Sequence, residues 1–227
     1  MADHAEEYEA IRIRIDELVR GSDGATPVPT CPGWSVRDVV AHLAGLCQDW
    51  VSNDLLGYAS DGWTAKQVAR FAGRGIDDIL DAWRNASVAF AALPDDELMG
   101  PPARWSFGDA VSHEGDIRHA LDAGRVPDDA VELSVKTAIA RWRGALAEAA
   151  APTLRLRCPG GRDWWLGVPD DPATVEVSAP RYDVFRALAG RRSAAQVAAW
   201  DWSADPTPFL AAGIGYPFAW AATDIVD

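Results

Sequence analysis

The sequence predicts an α+β protein, with an antiparallel four-helix bundle over residues 1–128 followed by a small α+β domain over residues 129–227. Three observations carry this reading. Apolar residues recur at helical spacing from Ala5 to Ala123, broken by glycine- and proline-rich connectors. Four amphipathic helices in that span have to bury their stripes against one another, and a bundle is the natural solution. From Thr153 to Ser178 the pattern changes to short alternating runs, the signature of half-buried strands.

The first helix is predicted over Ala5–Arg20, where Ile11, Ile15, Leu18 and Val19 share a face and Gly21-Ser22-Asp23-Gly24 ends the run. The connector Thr26-Pro27-Val28-Pro29-Thr30-Cys31-Pro32-Gly33 cannot be helical, because its prolines lack the N–H and fix φ. Ser35 then has the character of an N-cap, with Asp38 placed to complete a capping box and Trp34 to staple onto Val39. The second helix carries the stripe Val36, Val39, Val40, Leu43, Leu46 and Trp50, and His42 borders it.

A third helical pattern runs from Thr64 to Leu93, with an interruption around Gly73-Arg74-Gly75, and Pro94 closes it. After Pro101-Pro102, Ser106 repeats the cap spelling and opens a fourth helix to about Ala123, which Gly124 stops. The domain boundary falls near Val126–Asp129, and a further helix covers Val131–Ala150. Strands are expected at Thr153–Cys158, Asp163–Val168 and Ala173–Ser178, covered by short helices at Arg181–Leu188, Ala194–Trp200 and Pro208–Ala212.

The chain has 227 residues, 48% of them apolar and 24% charged, which is ordinary globular usage. A formal charge of −13 disfavours a phosphate backbone as partner, so nucleic acid is not expected. No run approaches the roughly 18 apolar residues of a membrane span. The acidic N-terminal segment has none of the basic start of a secretion signal. Cys31, Cys47 and Cys158 are too few and too scattered for a disulfide framework, and a cytoplasmic monomer or homodimer is expected.

One sentence is written twice. W-S-x-x-D-x-x-x-H occurs from Trp34 to His42 and again from Trp105 to His113, so two of the four histidines stand in matched frames. In a helix, Asp and His four apart lie on one face, and bundle metal sites are built from such inward-facing pairs. Helix capping by itself accounts for the W-S-x-x-D portion, and Asp38 falls mainly on that side. The histidines point further: His42, Asp109 and His113 form a candidate site for zinc or another divalent ion, with a position left open. Asp116 also shares a face with His113 and is read as the group that orients its imidazole, while Glu114 is turned about 100° away. A solvated charged helix end is the competing account of Glu114, Asp116 and Arg118. His4 and His119 are read as surface residues, and Cys31 and Cys47 as minor metal or redox candidates.

The run Pro32–Leu43 (PGWSVRDVVAHL), with Asp109–Arg118 (DAVSHEGDIR) and Arg181–Val197, resembles the mycothiol-dependent maleylpyruvate isomerase-like proteins, a branch of the DinB-like metal-binding bundles. The resemblance implies a divalent metal, usually zinc, held at the positions of His42, Asp109 and His113; family members commonly have Glu at the acidic position, so the shorter Asp109 has to approach from a closer backbone or yield the third place to Asp116. It implies mycothiol or a similar low-molecular-weight thiol as cosubstrate and a small electrophile as substrate, in a transferase or isomerase reaction. The isomerase branch also places a late arginine for its dicarboxylate substrate. Here no Lys or Arg follows Arg192, which leaves Arg186, Arg191 and Arg192 as the candidates. A metal-dependent hydrolase using Asp116 as proton relay, and a non-catalytic binding protein using Trp164 and Trp165, are the alternative readings.

Overall fold

The structure is a computed structural model that describes residues 4–94, 102–169, 171–172 and 174–227; for residues 4 and 102–105 it describes the backbone only. Backbone contacts divide the chain into two compact units, the first running to Val126 and the second from Pro127 onward.

The first unit contains α1 (His4–Val19), α2 (Val36–Ser52), α3 (Asp61–Arg70), α4 (Ile76–Ala91) and α5 (Pro102–Ala120). Helix α2 packs on α4 and α5, and α1 packs on the same two, so these four surround one core while α3 lies against α2. Buried at the centre are Ile11 and Ile15 of α1, Val39, Val40 and Leu43 of α2, Ile79 and Trp83 of α4, and Phe107 and Val111 of α5. Trp83 donates its indole N–H to the Tyr8 hydroxyl at 2.9 Å, so the largest core side chain has its one polar atom satisfied.

The Ser35 cap forms as its spelling requires: Ser35 Oγ accepts from Asp38 N–H while the Asp38 carboxylate accepts from Ser35 N–H. The interruption at Gly73 is a complete break that divides the long third pattern into α3 and α4, with Gly73 at φ 76°. Helix α3 also starts earlier than its periodicity suggested, at the N-cap Ser60.

The second copy of the cap spelling is used differently. Helix α5 begins at Pro102, so Ser106 is an interior, buried helical residue and caps nothing. The physical reason is that proline suits the first helical position, where its φ is preset and its missing N–H costs nothing. Pro101 and the side chain of Trp105 lie outside the described residues.

The second unit opens with α6 (Asp128–Glu148), whose buried stripe is Val131, Val135, Ile139, Trp142 and Leu146. Strands β1 (Leu154–Arg157), β2 (Trp164–Leu166), β3 (Val175–Ser178) and β4 (Asp201–Trp202) form a sheet in the order β2-β1-β3-β4. β1 pairs antiparallel with β2 and parallel with β3, and β4 pairs antiparallel with β3. Leu154, Leu156, Trp164, Leu166 and Val177 form the buried face, whereas Arg155 and Arg157 meet Glu176 on the other. The short helices α7 (Arg181–Leu188), α8 (Ala194–Ala198) and α9 (Thr207–Ala212) complete the unit. Strand β4 was not expected, because two residues are too short to show a period. Ala173, placed in the third expected strand, lies outside the described residues.

The three arginines read as candidates for a substrate carboxylate are engaged within this unit. Arg186, fully buried, contacts Asp227 at 2.6 Å; Arg192 contacts Asp227 at 2.7 Å and Asp183 at 2.9 Å; and Arg191 donates to the Ala189 carbonyl.

Candidate metal centre

Helix α2 presents His42 and helix α5 presents Asp109 and His113, and the three side chains meet inside the bundle. His42 Nε2 lies 3.1 Å from one carboxylate oxygen of Asp109, and His113 Nε2 lies 3.6 Å from the other. The two imidazole centroids are 5.1 Å apart in an edge-to-face arrangement. Both histidines are buried, and Asp109 remains about a quarter exposed (27%), so the cluster reaches solvent on the carboxylate side.

Each imidazole is held from behind through its other nitrogen. His113 Nδ1 lies 3.0 Å from Asp116 Oδ2, and the carboxylate is fully buried. A carboxylate in this position is an acceptor for a ring hydrogen on His113 Nδ1. His42 Nδ1 lies 2.7 Å from Gln67 Oε1, and the Gln67 amide nitrogen donates to Asp49 at 2.7 Å. Asp49 is in turn paired with Arg70, which also donates to the Gly45 carbonyl and to Gln48.

A ring hydrogen on each Nδ1, where Gln67 and Asp116 offer acceptors, would leave both Nε2 atoms as lone pairs facing the carboxylate of Asp109. In that arrangement three acceptor atoms converge, and two imidazole nitrogens with one carboxylate suit a divalent first-row ion.

Cys31, at the end of the proline-rich connector, donates its thiol to Asp116 Oδ2 at 3.4 Å and lies 3.9 Å from His113 Nδ1. It therefore belongs to the surroundings of Asp116, on the far side of His113 from His42. Trp34 lies against both rings, at 5.4 Å from His42 and 6.3 Å from His113. The residue expected to staple a helix thus forms an apolar wall of the cluster. Tyr58 is packed between Trp50 and Trp63, and burial, with a further contribution from the charge on Asp109, pushes its hydroxyl up to about 12. It remains a protonated donor through the neutral range.

Asp38, the counterpart of Asp109 in the first copy, is taken up by Ser35 and Arg37. The alternative of a solvated charged end around Glu114, Asp116 and Arg118 is overturned, because both carboxylates are fully buried. Glu114 faces away from the cluster, as its spacing requires, and receives Arg14 of α1 at 2.7 Å and Arg118 at 2.9 Å. His119 is half-buried, and the side chain of His4 lies outside the described residues.

Sequence reasoning missed Gln67, Asp49 and Arg70. The available signal was Gln67 itself, a polar residue four positions after Trp63 and therefore on the one face that α3 buries.

No curated protein matches the chain in sequence. Two solved structures share its fold: one of the mycothiol-dependent maleylpyruvate isomerase, 16% identical with a TM-score of 0.53 over 88% of this chain and 91% of that one. The second is a single histidine-to-alanine variant of such an isomerase, 18% identical with a TM-score of 0.52 over 88% and 90%. The family model described as the mycothiol maleylpyruvate isomerase N-terminal domain matches residues 8–123, just over half of the chain and all of the segment that builds the cluster. The chain therefore belongs to the mycothiol maleylpyruvate isomerase N-terminal domain family.

Proposed function

We propose that the protein is a metal-dependent enzyme that joins a low-molecular-weight thiol, mycothiol or a close analogue, to a small electrophile in a transfer or isomerisation reaction. His42 Nε2, the Asp109 carboxylate and His113 Nε2 hold the ion, and zinc fits the donor set best. The observation that carries the reading is the convergence of His42 Nε2, His113 Nε2 and the Asp109 carboxylate, all within 4.8 Å of one another. Bound there, a divalent ion supplies positive charge that lowers the pKa of a coordinated thiol and leaves it a nucleophile near neutral pH.

The chain's own residues supply the rest. Asp116 holds the His113 ring hydrogen and raises the basicity of the opposite nitrogen, and Gln67 does the same for His42 with a neutral group. Trp34 keeps water from one side of the imidazoles, while the exposed edge of Asp109 marks the side from which a thiol would approach.

The test is elemental mass spectrometry of protein purified without chelator or affinity tag, wild type beside His42→Ala/His113→Ala. Near-stoichiometric metal that disappears in the double variant, followed by turnover of an electrophile only when thiol is added, supports the proposal. Absence of metal from both, with no uptake of added zinc, refutes the site; turnover that ignores thiol refutes the thiol reaction.

A further inference from the structure

We infer that Gln67 is a positioning residue that sets the tautomer of His42, with Asp49 dictating the orientation of its amide and α3 serving as the element that delivers it. The consequence for metal affinity rests on the metal-site reading, but the tautomer does not.

Arg70, about one-third exposed, pairs with the buried carboxylate of Asp49. A carboxylate can only accept, so the Gln67 group facing it at 2.7 Å must be the NH2. The amide oxygen is then the end that meets His42 Nδ1, also at 2.7 Å, and an oxygen there requires the ring hydrogen on Nδ1. Without this constraint the hydrogen would favour Nε2, where the Asp109 carboxylate lies 3.1 Å away ready to accept it. Gln67 therefore works against the tautomer that the candidate ligand Asp109 would otherwise select, and it frees the Nε2 lone pair.

The packing is built around this residue. Gln67 is completely buried although it is polar, and α3 has only Trp63 and Gln67 as buried residues. A Cβ on Gly45 of α2 would stand 2.6 Å from Gln67 Cβ and 2.9 Å from its Cα, so α2 and α3 approach this closely only because position 45 has no side chain. A helix outside the four-helix core, one glycine and an ion pair thus converge on one hydrogen atom.

The test uses chelator-treated full-length protein at about pH 8. Long-range proton–nitrogen NMR correlations distinguish the two tautomers, and the spectrum lacking His42 (His42→Ala) assigns the signals. Wild type is expected to show His42 protonated on Nδ1. Gln67→Leu is expected to move the hydrogen to Nε2, and Gln67→Glu combined with Asp49→Asn, which keeps an acceptor facing His42 and gives the new carboxylate an amide donor in place of a second carboxylate, to hold it on Nδ1. Asp49→Asn leaves Gln67 in place but removes the reason for its orientation, and a mixture of tautomers is expected; this variant keeps the test open should Gln67→Leu not fold.

Zinc affinity, measured by competition with a chromophoric chelator, should fall about 10- to 100-fold in Gln67→Leu, and Gln67→Glu combined with Asp49→Asn should recover most of it. A His42 signal that stays on Nδ1 in both Gln67→Leu and Asp49→Asn overturns the inference, and so does zinc affinity unchanged in a folded Gln67→Leu. If wild type binds no zinc yet its tautomer changes as expected, the inference stands and the metal reading falls.

Discussion

Replacing Asp109 with asparagine should stabilise the metal-free protein while abolishing its response to zinc. With the His42 ring hydrogen held on Nδ1, two acceptors face each other across 3.1 Å between Nε2 and Asp109 Oδ2. An asparagine amide can turn its NH2 to that nitrogen, replacing a lone-pair conflict with a hydrogen bond. A net gain of about 0.5–1.5 kcal/mol is expected, toward the lower end because the Asp109 side chain is partly exposed. For a chain of this size that corresponds to a rise in Tm of about 1–6 °C. Zinc at a thousand times its Kd would add about 4 kcal/mol to the wild type, a further rise of about 8–16 °C, and almost none of it to Asp109→Asn. Differential scanning calorimetry of chelator-treated protein, with and without zinc, measures both changes. A lower metal-free Tm in Asp109→Asn would refute the reasoning, because it would mean that His42 is doubly protonated and Asp109 is its ion-pair partner. A retained zinc shift would equally show that Asp109 is not a ligand.

Three further outcomes are expected. Glu114→Ala leaves the guanidinium groups of Arg14 and Arg118 facing each other without their shared buried carboxylate, and it should cost about 3–5 kcal/mol in urea unfolding without changing metal affinity; a loss below 1 kcal/mol would contradict the role given to this link between α1 and α5. Gly45→Ala places a methyl group against the backbone of Gln67 and should cost about 1–3 kcal/mol and weaken zinc binding, whereas an unchanged stability would show that α3 can move away freely. Burial pushes the Cys47 thiol up to about 12, so the folded state keeps its proton over a range where the unfolded chain, with a pKa near 8.5, loses it. Stability contributed by this group is complete below about pH 8.5 and is lost as pH rises toward 12, and urea titrations at about pH 8 and 10.5 should show a shallower alkaline loss in Cys47→Ala.

What could be read from the sequence was local in origin. The Ser35–Asp38 cap, the apolar stripe of α2, the proline-rich connector and the alternation of β1 depend on residues within a few positions of one another, so spacing reports them directly. The matched Asp–His frames were legible for the same reason, since four residues is one helical turn. Spacing did not show that the frames differ. Asp38 begins its helix and caps it, whereas Asp109 lies seven residues into a helix that starts at Pro102, and only the second carboxylate meets both imidazoles.

The groups that hold the imidazoles divide along the same line. Asp116 is three residues from His113 and could be named from the sequence, whereas Gln67 is twenty-five residues from His42 on a different helix. The burial of Glu114 likewise depends on Arg14, a hundred residues away. Sequence periodicity by itself determined which residues cap, which face inward and which two histidines match, because these follow from the geometry of one helix. Only the tertiary structure decided which carboxylate faces which ring nitrogen, because that depends on how separate helices pack and on the hydrogen each buried polar atom must find.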